Sequence, residues 1–293
     1  MILAKAVTGL VLNYRDPVRT TACVQSLLRA GISRILVIDN SGACEGRMTV
    51  GHLPPMIGAD VQICYSDRNL GFSAGVNRGL LESAARWPDH WILLVNNDAL
   101  LTGGLPERLS SALAADQFAA TASPWVQQDG AAIGWTWYQP WLCLITLRPL
   151  RGSFCFASGC CMLIATDRVW SQPFCEDFFM YGEDVDLAWQ LAQRDLHQLL
   201  VDGCEVVHEG SASSRRGSLF YETLLVEAHI RLASTISRDQ PARRFILLAL
   251  RAIVLPSRAI LRCLRVRSLA PLQGLCGGIN RAFRAGGQGA PDA

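Results

Sequence analysis

The chain has 293 residues, half of them hydrophobic, 18% charged and 8% aromatic, which excludes a disordered or collagen-like chain and supplies apolar mass for one large core. Its net charge of +2 hides an asymmetry: residues 1–230 hold 16 Lys and Arg against 23 Asp and Glu (−7), and residues 231–293 hold 11 against 2 (+9). Eleven cysteines without a C-x-x-C pair fit neither a zinc ribbon nor a disulfide scaffold, and point to reduced thiols in the cytoplasm. The opening MILAKAVTGLVLNYRDP has no basic n-region and no small-residue cleavage site, so no secretory signal is expected.

In chain order, β-branched apolar runs alternate with helical patterns: a strand over 6–14, a helix over 18–30, a strand over 34–40. A third strand over 61–65 leads through a Gly-rich loop into a helix near 75–85, and residues 91–95 (WILLV) read as a fully buried strand. The expected fold class is α/β, a Rossmann-like, mostly parallel sheet flanked by helices. Ligands bind such sheets outside the carboxyl ends of the strands. There the four runs end in Asn13-Tyr14-Arg15-Asp16, Asp39-Asn40-Ser41-Gly42, Asp67-Arg68-Asn69-Leu70-Gly71 and Asn96-Asn97-Asp98. Any one such cluster is explained by turn formation; four on one rim point to a site.

Residues 116–150, with Trp125, Trp135, Trp137, Trp141, Pro140 and Pro149, read as an irregular insertion, either a core filler or an aromatic platform for a sugar. A small apolar run follows at 153–164, and then the acidic stretch from Glu176 to Asp186. Gly182 ends one element; Glu183, Asp184 and Asp186 open a helix that runs to about Arg194. A last strand over 199–208 ends in His208. Beyond it, Arg244, Arg251, Arg258 and Arg265 recur every seven residues, with Arg262 one turn past Arg258. These charges interrupt every apolar window long enough to span a bilayer, and Pro256 should kink the helix. Such a helix suits the headgroup region of an anionic membrane, Arg towards the phosphates. The division expected is a catalytic domain over 1–230, a basic amphipathic region over 231–275 and a disordered tail over 276–293.

Asp98 after a buried strand, Glu183 and Asp184 at a helix start and His208 closing a strand suggest chemistry on a nucleotide diphosphate. Mg²⁺ or Mn²⁺ takes few protein ligands and completes its shell with phosphate oxygens and water, so one carboxylate and one imidazole suffice. Seven collinear segments carry a family resemblance: VLNYRDP (11–17), ILVIDNSG (35–42), NLGFSAGVNRGL (69–80), LLVNNDALL (93–101), ASGCCMLI (157–164), FFMYGEDVDLAWQLAQ (178–193) and VVHEGSAS (206–213). Through them the chain resembles the family 2 glycosyltransferases of GT-A fold, in particular the rhamnosyltransferase-like branch of bacterial polysaccharide assembly.

The resemblance implies inverting transfer of a sugar, first of all L-rhamnose from dTDP-rhamnose, to an acceptor hydroxyl in cell-surface polysaccharide or glycolipid assembly. Asn13, Tyr14 and Asp39 match positions that hold the donor's base and ribose; Asn69, Gly71, Gly75 and Asn77 match the loop along the donor, where Gly71, Gly75 and Gly79 permit close backbone approach. Asn96 and Asp98 stand at the family's D-x-D, with Asp98 and His208 as metal ligands. Asp184 matches the catalytic base, with Glu183 beside it. Three departures are Asn96 for the first carboxylate of D-x-D, Cys175 where Asp is usual and Gln190 where Arg is frequent. The partners implied are a nucleotide-sugar donor, a glycan or lipid-linked acceptor and an anionic membrane surface, with no nucleic acid, for a protein peripheral on the inner face of the cell membrane. A nucleotidyltransferase would be expected to carry a basic G-x-G loop near the N-terminus, which VTGLVLNYRDP is not; a non-catalytic sugar-nucleotide binder would have no need of Asp98, Asp184 and His208 together.

Overall fold

Runs of alternating inward residues build a central sheet covered on both faces. The computed structural model describes residues 5–53, 58–209 and 217–284. The chain opens β1 (Val7–Asn13), α1 (Pro17–Arg29), β2 (Arg34–Asp39), β3 (Asp60–Tyr65), α2 (Gly71–Arg86) and β4 (Trp91–Asn96). The middles of these strands are mostly apolar, and successive residues go to opposite faces. Val11, Ile35, Val37, Leu93 and Val95 meet α1 on one side. Leu10, Leu36, Ile38, Ile92 and Leu94 meet Val76 and Leu80 of α2 on the other. Gly79 of α2 stands so close to Leu10 that a Cβ would collide with it, so that glycine seats the helix on the sheet.

The second half adds β5 (Ala99–Leu101), α3 (Leu105–Ala115), β6 (Ala119–Gln128), β7 (Ala131–Ile133), β8 (Thr136–Gln139), β9 (Leu144–Thr146), β10 (Phe154–Phe156) and β11 (Cys161–Ile164). It closes with α4 (Glu183–Ala192), β12 (His197–His208), α5 (Leu219–Thr235), α6 (Pro241–Val266) and α7 (Ala270–Phe283). The main sheet runs β3-β2-β1-β4-β11-β6-β12-β5, with β7 on β6; β10-β8-β9 form a small second sheet. It is parallel from β3 to β4, as expected, and mixed beyond, because β11 lies antiparallel to both β4 and β6. Strands buried on both faces carry no mark of direction in their sequence.

Three expectations change. The irregular insertion at 116–150 contains β6, a ten-residue strand inside the sheet. Its small residues and Pro124 hide its β character, and it is held by parallel pairing with β12. The tryptophans of that stretch stand away from the pocket at the strand ends: none lines it, Trp125 donates to Asp202 and Trp141 packs against Arg243. The boundary at 230 falls inside α5 and the tail at 276 inside α7; residues 285–293 lie outside the described residues. Glycine-rich sequence reads as disorder, yet Gly274 and Gly278 bring α7 onto α5. A Cβ on Gly278 would come within 2.6 Å of the Thr223 carbonyl oxygen. Gly278→Leu is expected to lower stability by about 1–3 kcal/mol through overpacking; urea denaturation with an unchanged midpoint would mean that α7 does not pack there.

The arginine stripe of α6 also turns out differently. Arg251 is 2% exposed: its guanidinium donates to the carbonyls of His229, Pro140 and Leu247 and to the Tyr138 hydroxyl. Arg258 donates to Nε2 of His229 at 3.3 Å. Burial, reinforced by Arg258 and Arg251, pushes the His229 imidazole well below its ordinary value. Arg262 makes two bonds to Glu222 of α5, and Glu227 bridges Arg231 and Arg281. Those arginines tie three helices together instead of facing lipid phosphates, and the basic region is part of the fold. Helix α6 runs through Pro256 as one element.

Candidate active site

The carboxyl ends of β1, β2 and β4 open into a pocket of about 250 Å³. Its floor comes from strand ends and its far wall from the segment that leads into α4. Tyr14, Asn69, Gly71, Asn96, Asp98, Glu183, Asp184 and His208 all line it, so residues 194 positions apart in sequence meet in one cavity. Chain topology makes the meeting. β12 pairs antiparallel with β5, with His208 opposite Ala99, and Asp98 immediately precedes β5.

His208 Nε2 lies 3.1 Å from Asp98 Oδ1, both side chains being nearly buried. The other ring nitrogen, Nδ1, lies 3.1 Å from Gln128 Oε1; donating that proton to the amide fixes the ring and leaves Nε2 beside Asp98. One carboxylate oxygen and one imidazole nitrogen turned to the same point suit a hard divalent cation that keeps water and phosphate ligands. Among the described residues no cluster of three or more His, Cys, Asp or Glu could hold a metal. The donor set therefore fits Mg²⁺ or Mn²⁺ shared with a diphosphate and does not fit a closed protein cage.

The acidic helix start is built by a second set of ties. Gly71, at φ +78°, brings the start of α2 against the Phe179 carbonyl, which also accepts from Phe72 N–H at 2.7 Å. Asn77 clamps the same segment further back: its amide donates to Phe174 O at 2.7 Å and to Glu176, and its oxygen accepts from Phe174 N–H. Gly182, at φ +89°, then turns the chain into α4. Asp184 accepts from its neighbour Val185 N–H and packs 3.8 Å from the position a Cβ on Gly159 would take. Burial raises the Asp184 carboxyl above its ordinary range, against backbone N–H groups of Val185 and Gly159 that pull it down. Glu183, 8% exposed, is raised further, by burial first and by the Asp184 charge second. Its Oε2 has no hydrogen-bond partner among the described residues. Burial thus favours the protonated form of both carboxyls, of Glu183 more than of Asp184. Asp186 points away: buried, it accepts from Gln190 at 2.6 Å, so the Gln that replaces the family's Arg serves it as a neutral partner. Cys175 sits half-buried in the core beside Phe178 and does not line the pocket.

Several expected donor residues are occupied otherwise. Asp39 is 1% exposed and accepts from Ser41 N–H and Met48 N–H. Asn13 reaches the pocket, but its amide is engaged by Ser41, Gly46 and Thr20. Both brace the 40–48 loop. Gly75 and Asn77 do not line the pocket; a Cβ on Gly75 would strike Asn40 and Leu12, so it serves helix packing in place of ligand approach. Sequence reading missed the aromatic wall, Phe72, Phe179, Tyr181 and Phe220. Phe220 lies in the first turn of α5, outside the seven matching segments, and only its adjacency to Tyr221 hinted at it. Gln128 behind His208 was also missed, since nothing in sequence links 128 with 208. Of the last segment, residues 210–213 lie outside the described residues.

No protein-family model matches the chain. Over 215 residues it is 25% identical to an N-acetylglucosaminyl-diphospho-decaprenol L-rhamnosyltransferase of Mycobacterium tuberculosis, in strain H37Rv and equally in strain CDC 1551, covering 62% of this chain and 68% of the relative. In structure it is similar to GalNAc-T7 solved with UDP, GalNAc and Mn²⁺, with a TM-score of 0.55 and 12% identity over 77% of this chain. It spans about half of that protein, 48%. It is similar as well to the mannosyltransferase PcManGT of Pyrobaculum calidifontis, in complex with GDP-Man and Mn²⁺, with a TM-score of 0.53 and 13% identity, covering 95% of this chain and 87% of that one. In fold the chain is similar to these glycosyltransferases, and in sequence it is similar to a rhamnosyltransferase, the likeness its motifs implied.

Proposed function

We propose that the protein is an inverting glycosyltransferase that moves a sugar, in the first instance L-rhamnose from dTDP-rhamnose, onto a hydroxyl of a lipid-linked glycan. The observation that carries this reading is the union in one pocket of Asp184 and Glu183, at the start of α4, with the Asp98 and His208 pair. The acceptor named for the mycobacterial relative is a diphospho-decaprenol glycolipid, which supports a lipid-linked acceptor, and so work at the inner membrane surface, for this chain.

In the reaction the acceptor O–H loses its proton to the Asp184 carboxylate. The freed oxygen lone pair forms the new bond to the anomeric carbon, and the bond from that carbon to the diphosphate oxygen breaks. The electron pair leaves with the nucleotide diphosphate, and one in-line displacement inverts the centre. Asp98 and His208 would hold a divalent cation, which supplies positive charge against the diphosphate as it departs. Phe72, Phe179, Tyr181 and Phe220 exclude water, so that the acceptor hydroxyl and not water reaches the donor.

The test is a panel of nucleotide sugars in thermal-shift assays with and without Mn²⁺, followed by transfer to polyprenyl-diphosphate glycans. A donor at 100 times its dissociation constant should add about 2.7 kcal/mol, with dTDP-rhamnose expected to give the largest shift. Stabilisation by no nucleotide diphosphate sugar would overturn the reading.

A further inference from the structure

Helix α6 is built inside out for a helix in water. Its buried residues, Leu247, Arg251, Leu255 and Ala259, follow one face at helical spacing, and that face also carries Arg258 and Arg262 to their partners on α5. At 3.6 residues per turn, Ile246, Ile253, Ile260 and Leu264 lie opposite, and they are 49% to 74% exposed. Single exposed apolar side chains are ordinary; four along one face of a 26-residue helix form a patch that soluble surfaces avoid. Guanidinium groups that could have kept this face wet are spent on the interior instead.

The charges around the patch identify what covers it. Residues 241–284 contain nine Arg and no Asp, Glu or Lys. Arg244, Arg265 and Arg267 are exposed on or just past α6. An apolar stripe on a segment whose only charges are positive complements an anionic bilayer surface, with the stripe at the acyl boundary and exposed arginines among headgroups. No helix among the described residues is long and apolar enough to cross a membrane, which leaves α6 to lie in the interface plane.

We infer that the outer face of α6 docks on an anionic lipid bilayer and sets the pocket mouth towards it. The link runs through α5: Arg262 of α6 holds Glu222, Tyr221 stacks edge-on against Tyr181 at 5.3 Å, and Phe220 lines the pocket. The docking itself stands apart from the proposed function; only its consequence, that an acceptor headgroup reaches Asp184 while its lipid stays in the membrane, rests on that reading.

The experiment is co-sedimentation of the full chain with phosphatidylcholine vesicles, with and without phosphatidylglycerol, beside sedimentation velocity without lipid. The parent is expected to pellet with the anionic vesicles and to run as a monomer without lipid. The triple variant I253E/I260E/L264E should partition at least about tenfold less while keeping the parent's circular dichroism and thermal midpoint, since all three side chains point to solvent. Three results would each overturn the proposal: no pelleting of the parent with anionic vesicles, equal pelleting of the folded variant, or a lipid-free parent dimer that the variant breaks into monomers, in which case a second copy covers the face. Because the assay contains no donor and no transfer step, loss of the proposed catalytic function would leave its outcome untouched.

Discussion

Asp184→Asn is expected to lower kcat by about 10²–10⁴-fold, the usual loss when a general base is removed, with little change in donor affinity. The substitution keeps the side chain's shape and its place at the start of α4 while taking away the proton acceptor. Uniform binding survives such a change, so the loss should appear equally in kcat and kcat/KM. The parent's pH profile carries the same signature. Burial holds the Asp184 carboxyl above the ordinary carboxylate range, so the acid limb of kcat should fall at a higher pH than an exposed aspartate would give: protonation disables the base as pH drops through its raised pKa. Glu183→Gln, which keeps the side chain's size and leaves Asp184 in place, should cost far less. If Glu183→Gln abolishes turnover while Asp184→Asn retains it within a few fold, the two roles are exchanged.

Asp98→Ala is expected to remove nearly all of the increase in nucleotide diphosphate affinity that Mn²⁺ or Mg²⁺ brings. The proposed donor set among the described residues is Asp98 and His208, so losing the carboxylate leaves the imidazole, which prefers softer ions and cannot balance the charge. Gln128→Leu provides a graded companion, because the amide oxygen bonds the far nitrogen of His208. Releasing that nitrogen should weaken metal affinity by about 10–100-fold, as the loss of residues behind metal ligands does. Calorimetric titration of nucleotide diphosphate with and without the ion reads both variants. An unchanged metal increment in Asp98→Ala would move the metal away from β4 and β12.

Local pattern carried far in this chain because its first half is built from local rules. The strand and helix positions up to Val95 follow from apolar runs and helical spacing, and each polar cluster sits at the end of a buried strand, where a doubly covered parallel sheet must open to solvent. Tyr14, Asn69, Asp98, Glu183, Asp184 and His208 could be named from sequence because turn, helix start and strand end each need particular residue types, whatever the partner. What those groups face could not. Asp39, Asn13 and Asn77 satisfy the same sequence pattern whether they touch a ligand or brace a loop, and only the folded chain shows their side chains bonded to Ser41, Gly46, Phe174 and Glu176. The direction of β11 and the place of β6 depended on pairing between segments tens of residues apart. For α6 the amphipathic period was legible and its orientation was not. A helical wheel separates Arg251, Arg258 and Arg262 from Phe245, Ile253 and Ile260, but which side turns inward was decided by the buried acceptors waiting on α5 and β8: Glu222, the His229 carbonyl and the Tyr138 hydroxyl. Sequence by itself determined the elements, the rim and the chemical types on it; tertiary structure decided which polar groups were already satisfied, because hydrogen-bond and charge partners distant in the chain meet only when it folds.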